Sequence, residues 1–391
     1  MSEPAFGHPV YRQMPTTIFE KMSALARETG AINLGQGFPD APGDPAMLNA
    51  AADALLTRSN QYPPMAGVPE LRAAVAAHYA AHQGLDLSPQ EVIVTSGATE
   101  AIAASLLALV RPGDEVLVLA PLYDAYLPLI ERAGGVARVV SLSPPDWRIT
   151  AEMLAGATGP ATRFLLLNNP VNPTGAVLRE EELAVIAAHC VAHDLVAICD
   201  EVWEQVTLPG VAHRPLMALP GMRERTVKIG SAGKIFALTG WKVGWMCAAP
   251  AIVGLLGKAH QFLTFTTPPN LQWAVAQGLK RPADWFEAQK MAGQASRDRL
   301  VRGLEAGGYG VLPGEATWFV TVDLAASGIA MDDASFCARI PGEAGVVAIP
   351  ISAFYPEDPV MHLVRLCWCK GDEVIDEAVA RLAAFRAGLN R

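Results

Sequence analysis

The segment Ser231-Ala232-Gly233-Lys234 follows an apolar strand ending at Ile229, and a second lysine, Lys242, stands eight positions further on in a Gly- and Trp-rich stretch. A lysine held among apolar groups loses its preference for the ammonium form, so its amine becomes a nucleophile near neutral pH. A lysine that forms a Schiff base needs this property. Ser-x-x-Lys alone fits a solvated surface loop equally well, so the reading depends on what the chain supplies around it.

Several other stretches carry residues of matching chemistry. Ser96-Gly97-Ala98-Thr99 lies where a strand gives way to a helix. Free backbone N–H groups and the helix dipole there favour an anion such as phosphate, although an ordinary strand-to-helix turn has the same pattern. Tyr123 follows the next strand, at the edge where ligands sit in open α/β sheets; it either stacks on a planar ring or packs on its own helix. Asn168-Asn169-Pro170-Val171-Asn172-Pro173-Thr174-Gly175 has two Asn-Pro steps and a glycine directly after a buried strand, a loop suited to presenting an amide side chain. Asp200 follows the apolar run 195–199, where a carboxylate is costly unless paired. A protonated ring nitrogen, a core histidine or backbone would each answer it. Arg365 stands inside the apolar strand Val364-Arg365-Leu366, suited to bidentate capture of a carboxylate or to an internal ion pair. Gly35 and Gly37 flank Gln36 and permit close approach of a ligand or of another backbone segment.

The elements that must position these residues read as an α/β fold. Strands are expected over 92–95, 115–120, 136–141, 164–167 and 195–199, alternating with helices over 99–110, 124–133 and 180–193. Several strands are continuous apolar runs, as expected for a mostly parallel sheet covered on both faces. A helix opens at Pro69 and a long one spans 282 to about 307. An α+β region follows, with strands at 319–323, near 346–349 and over 363–369, a helix near 334–339 and a last helix from Asp372. The 391 residues exceed a usual single domain. The expected division is a 1–40 arm that belongs partly to a small domain, a large domain over 41–285 and a small C-terminal domain over 286–391.

With 51% hydrophobic and 18% charged residues the chain can bury a large core, and its net charge of −9 offers no footprint for nucleic acid or anionic lipid. Met1-Ser2-Glu3-Pro4 lacks the basic and apolar regions of a signal peptide. The charge-free run 243–257 is too short to span a membrane. Six cysteines without CxxC spacing suit a reducing cytosol. Cys367-Trp368-Cys369 reads as a metal-binding pair or as small core residues.

Taken together, the chain resembles the fold-type I, class I/II aminotransferases that use pyridoxal phosphate, over nearly its whole length. It is most similar to the subgroup of kynurenine/glutamine transaminases (cysteine-conjugate β-lyases) and bacterial methionine aminotransferases. The resemblance is carried by Leu34-Gly35-Gln36-Gly37-Phe38-Pro39-Asp40, Asn60-Gln61-Tyr62, Asn172-Pro173-Thr174-Gly175 and Gly230-Ser231-Ala232-Gly233-Lys234. It implies an aspartate aminotransferase-like seven-stranded-type sheet with a smaller α+β domain. Lys234 would be the Schiff-base lysine and proton carrier, and Asp200 would keep the pyridine nitrogen protonated. Asn172 would reach the ring 3-oxygen and Tyr123 would stack on the ring. Gly97, Ala98, Thr99, Ser231 and Lys242 would hold the phosphate. Arg365 would clamp the substrate carboxylate, helped by Asn172 and the Gly37 backbone. Tyr62 and Phe265 would serve the neighbouring subunit of a cytoplasmic homodimer.

The chain departs from the family pattern at three places. Trp203 stands where a tyrosine usually donates to the cofactor, Lys242 where many relatives have arginine, and the stretch 262–266 lacks the arginine of dicarboxylate-specific relatives. With Phe262, Phe265 and Tyr11 or Phe38 as walls, the expected substrates are apolar, sulfur-containing or aromatic amino acids or glutamine, with a 2-oxo acid as acceptor. A C–S β-lyase on the same lysine is the alternative. A non-catalytic regulator on this fold is a further one.

Overall fold

A computed structural model describes residues 6–389, so the signal-peptide reading of Met1–Pro4 falls outside the described residues. The strands, in chain order, are β1 (Ile32–Asn33), β2 (Val92–Ser96), β3 (Glu115–Ala120), β4 (Val136–Ser141), β5 (Thr162–Asn168), β6 (Val196–Asp200), β7 (Thr226–Ser231), β8 (Val243–Cys247), β9 (Gly310–Leu312), β10 (Phe319–Asp323), β11 (Val346–Val347), β12 (Ile349–Pro350) and β13 (Leu363–Cys367).

Seven strands form one sheet in the order β2-β8-β7-β6-β5-β3-β4. The β3–β4, β3–β5, β5–β6 and β6–β7 pairs are parallel, whereas β8 runs antiparallel to both β2 and β7. Every residue of β7 and β8 is buried, Lys228 included, as expected of strands between two helical layers. The edge strand β4 alternates instead, with Val136, Arg138 and Ser141 exposed. Because the strands are parallel and their returns are helical, Ser96, Asn168, Asp200 and Ser231 all emerge at the same edge. The chemistry gathers there.

A four-stranded antiparallel sheet, β12-β13-β10-β9, holds Arg365 in an inner strand, and the helices Ala283–Ala306 and Asp372–Leu389 pack against each other beside it. β1 pairs with β11, which ties the segment before Gly35 to the C-terminal third. The strand expected near 346–349 is in fact two, because the chain crosses at Ala348 from β11 on β1 to β12 on β13. Two further elements differ from expectation. Residues 18–29, expected as short irregular segments, form the helix Ile18–Thr29, capped by Thr17 and packed through Met22 and Ala26. The apolar run from Val243 begins as β8 and continues after Pro250 as the helix Pro250–Leu263. No helix among the described residues is long and apolar enough to cross a membrane.

Candidate active site

β7 ends at Ser231, and the short helix Ala232–Ile235 turns Lys234 over the end of the sheet. The lysine is buried apart from the face it turns to the cavity. Burial pulls its ammonium down to about 8, against the opposing charge of Asp200. Its Nζ lies 4.7 Å from the Trp203 ring centroid and 5.0 Å from that of Trp318. The unusual Trp203 is buried, stacks edge-on against Trp318 and Phe319, and presents its ring to the lysine.

Asp200 closes β6 in the neighbouring strand. Its Oδ2 accepts a 2.6 Å hydrogen bond from the Tyr126 hydroxyl, while its buried Oδ1 has no partner at all. Desolvation pushes its carboxyl above the usual range, with the Tyr126 bond opposing. An unpartnered carboxylate oxygen at this depth is a place for a cationic N–H donor.

The anion cradle is built where β2 gives way to the helix Gly97–Leu109. Gly97 sits at a φ of +75°, and a Cβ built on it would lie 3.3 Å from the Lys242 Nζ, which places that ammonium against the first helical turn. β8 passes so close beneath that a Cβ on Gly244 would lie 2.8 Å from the Gly97 carbonyl carbon. Gly97, Ala98, Thr99, Ser231 and Lys242 line one cavity of about 180 Å³ together with Tyr123, Asn172, Asp200, Trp203 and Lys234. Tyr123 meets its own helix through Tyr126, edge-on at 5.7 Å, and also walls the cavity.

The loop after β5 is held by its own amides. Asn168 donates to the Asp200 carbonyl at 2.9 Å and accepts from the Asn172 N–H at 2.8 Å. Asn169 accepts from the Leu178 N–H at 3.1 Å. The Asn172 side chain is therefore presented outward, and its oxygen accepts from Arg365 Nη1 at 2.8 Å. Arg365, 1% exposed, gives its other Nη to the Gly35 carbonyl at 2.7 Å and leaves Nε unpartnered. Phe319, Phe19 and Phe354 surround its guanidinium at 3.9, 5.1 and 5.3 Å. Among the described residues no carboxylate pairs with it, which removes the internal ion pair as an explanation. Desolvation draws it down to about 10. Gly37 has to be glycine, because a Cβ there would fall 2.5 Å from the Phe319 ring. A larger cavity of about 780 Å³ opens over Arg365, Asn172, Gly37, Tyr123, Trp203 and Lys234.

Some expected residues stand elsewhere. Tyr62, 83% exposed, touches Phe265 edge-on at 5.5 Å, and neither lines the cavities of its own chain. Tyr11, Phe38 and Phe262, expected as walls, are exposed and line neither cavity; Met14, Ile18, Phe19 and Phe319 do. The sequence reading also missed Tyr126 and Thr239, and gave no role to Asn168 within the quoted Asn-Pro run. Tyr126, three residues after Tyr123, was the most visible of them; the others act through loop geometry that carries no composition signal.

The profile of the family described as Aminotransferase class I and II matches residues 29–382. A Mycobacterium tuberculosis protein named as a probable N-succinyldiaminopimelate aminotransferase is 44% identical over 96% of this chain and 97% of its own. A solved structure of the N-succinyldiaminopimelate aminotransferase from that organism superposes with a TM-score of 0.93, covering 97% of this chain and all of that one. An Escherichia coli methionine aminotransferase is 39% identical over 95% of this chain and 96% of its own. A human kynurenine–oxoglutarate transaminase is 33% identical over 93% of this chain and 94% of its own. Relatives of this class depend on pyridoxal phosphate. The residues present fit that group, since an anion cradle, an aromatic wall and a buried carboxylate oxygen awaiting a donor share one cavity with the lysine. The chain belongs to the class I and II aminotransferases and is a pyridoxal-phosphate-dependent aminotransferase.

Proposed function

We propose that Lys234 holds the cofactor covalently and carries the proton in transamination, with Asp200, Asn172, Tyr123, Trp203 and Arg365 in supporting roles. The observation that carries this reading is that Lys234, drawn down to about 8, lines two cavities at once, one with Asp200 and its open Oδ1 and the other with the Arg365 guanidinium. When bound, pyridoxal phosphate supplies an electron sink for the electrons of the substrate α-carbon. Gly97, Ala98, Thr99, Ser231 and Lys242 anchor the phosphate, so its position is fixed before substrate arrives. Asp200 would hold the ring nitrogen proton through its unpartnered Oδ1. Tyr123 bounds the ring face and Asn172 offers its amide to the ring oxygen and the substrate. Arg365 fixes the substrate carboxylate, with the Gly37 backbone beside it, and its phenyl surround keeps water from competing. The Lys234 amine would take the α-proton and return it across the cavity.

The proposed donors are apolar, sulfur-containing or aromatic amino acids or glutamine, supported by the Met14, Ile18, Phe19 and Phe319 walls. One observation favours a second class. Lys21 lines the 780 Å³ cavity and has no ion pair among the described residues, which suits a long donor ending in a carboxylate, such as the substrate in the tuberculosis relative's name. A homodimer is proposed from the exposed Tyr62–Phe265 pair, which would complete a second copy's site. The 41–285 and 286–391 units would then move against each other about the long helix. Six free cysteines fit a cytoplasmic setting.

The test is borohydride reduction of the cofactor-loaded enzyme followed by peptide mapping, then a donor panel with one common 2-oxo acid. Cofactor fixed to a residue other than Lys234 would overturn the assignment. Pyruvate released from a cysteine conjugate without any acceptor would shift the reading to β-elimination. Lys21→Met should weaken a long dicarboxylic donor and spare methionine.

A further inference from the structure

Cys367-Trp368-Cys369 is a motif that the proposed transamination leaves unused. In the fold the two sulfurs lie 3.1 Å apart. Cys367 closes β13 and is fully buried, whereas Cys369 is partly exposed and lines a third cavity, about 220 Å³, shared with Lys234, Trp318 and Trp368. The backbone sets up the contact. Cys367 N–H donates to Leu34 and Trp368 N–H to Trp318, and then Lys370 N–H turns back to the Trp368 carbonyl at 2.8 Å. The strand thus ends in a tight turn centred on Cys369. In an extended strand, side chains two residues apart share a face but stand about 6–7 Å apart; the turn closes that gap.

The surroundings divide the two thiols. Burial would raise Cys367, but the Cys369 S–H and N–H that point at its sulfur, with the charges of Lys370 and Arg365, outweigh it and hold the thiol below its ordinary value. Burial and the neighbouring sulfur push Cys369 the other way. The two sulfurs share a hydrogen bond, and their surroundings favour Cys367 over Cys369 as the one to ionise. Among the described residues no His, Asp, Glu or third Cys completes a metal site here. The other four cysteines are buried and free.

We infer that Cys367 and Cys369 form a reversible dithiol–disulfide pair, oxidised by hydroperoxides, whose closure displaces the Arg365 clamp. Cys369 is the sulfur that the cavity presents to an oxidant. Its sulfur gives up its proton and attacks the peroxide; an S–O bond forms, the O–O bond breaks, and hydroxide leaves. Cys367 then attacks the sulfenic sulfur, the S–S bond forms and the S–O bond breaks, releasing a second hydroxide. The two thiol protons convert both hydroxides to water. In sum, two thiols lose two electrons and one peroxide is reduced to two waters. Arg365 lies two residues before Cys367 on the same face of β13, so drawing the strand end together moves the guanidinium relative to Asn172 and Gly35.

The experiment treats the cofactor-loaded full chain with hydrogen peroxide and titrates thiols after denaturation. The count should fall from six to about four. The peptide holding both cysteines should lose about 2 Da. KM for an amino donor should rise about tenfold with kcat changed less than about twofold, and dithiothreitol should reverse all three. Cys369→Ser should abolish the cross-link and the KM response, and Cys337→Ser should leave both intact. Six remaining thiols, or an oxygen adduct on Cys369 with no cross-link, overturns the pair. A cross-link with unchanged KM overturns its connection to Arg365. The thiol count and peptide mass do not depend on the role proposed for Arg365, so the two ideas fail separately.

Discussion

Asp200 and Glu201 are sequence neighbours in opposite circumstances. Burial would raise Glu201, but Lys228 and His213 outweigh it and hold its carboxyl down to about 2. Lys228 lies between Glu201 and Glu204, with the Tyr79 ring 4.5 Å from its ammonium. Glu204 takes further hydrogen bonds from Tyr79 at 2.9 Å and Gln83 at 2.6 Å, and Trp245 closes the chain by donating to Tyr79 at 2.7 Å. Glu201, Glu204 and His213 approach closely enough for a metal ion, and Lys228 already supplies the positive charge. The charges of that cluster answer one another. Asp200, Lys234 and Arg365 form the open counterpart, each with a charge or lone pair that the protein leaves unanswered. Equal burial therefore does not distinguish structure from function here. Satisfaction does.

Breaking each cluster should give opposite results. Lys234→Met should reduce transamination by about 10³-fold or more if the proposed proton carrier is lost, read from single-turnover kinetics with a good donor. Lys228→Met should destabilise by about 3–5 kcal/mol, because two buried carboxylates lose their cation, while activity per folded molecule holds. Normal stability in that variant would mean the closed cluster is not what holds β6 and β7 together.

The sharper contrast is the stability of the cofactor-free protein. Lys234 is drawn from 10.5 to about 8, so the folded state carries a disfavoured ammonium at every pH below about 8. The penalty shrinks as pH rises from about 8 to 10.5 and is gone above that. Contacts with the two indole rings offset part of it, so Lys234→Met should stabilise the cofactor-free chain by about 1–2 kcal/mol at pH 7. The gain should disappear near pH 11 in thermal melts; a gain independent of pH would contradict a charged, desolvated Lys234. Asp200→Asn should lower kcat on the order of 10²-fold with little change in stability. The smallest effect belongs to Arg365→Lys, which keeps the charge and loses the fork; KM should rise about tenfold with kcat nearly unchanged.

Much of this contrast is visible in the sequence, and its limits are physical. The strands and helices of the large sheet follow from continuous apolar runs and their spacing, and the positions of Gly97, Asp200 and Ser231 follow from being at strand ends. Lys228 gave no warning, because a lysine inside an apolar strand looks the same whether it is paired or catalytic. Its partners, Glu201 and Glu204, become visible only when β6 lies beside β7. Helix Ile18–Thr29 was missed because the Gly and Pro punctuation around it masked its period. The sequence also could not say which copy's cavity Phe262 and Phe265 would wall, because they lie on a surface that no single chain folds back over its own cavity.

The antiparallel course of β8 has one more consequence. Since β7 and β8 are adjacent inner strands, residues 232–242 form a strap with both ends stitched into the sheet. Inserting residues there cannot be absorbed by sliding a flanking helix, as it could in a parallel crossover. New chain termini opened within 232–242 would cut Lys234 loose from Lys242, so circular permutation should fail at this strap. It should succeed at the exposed turn around Gly113.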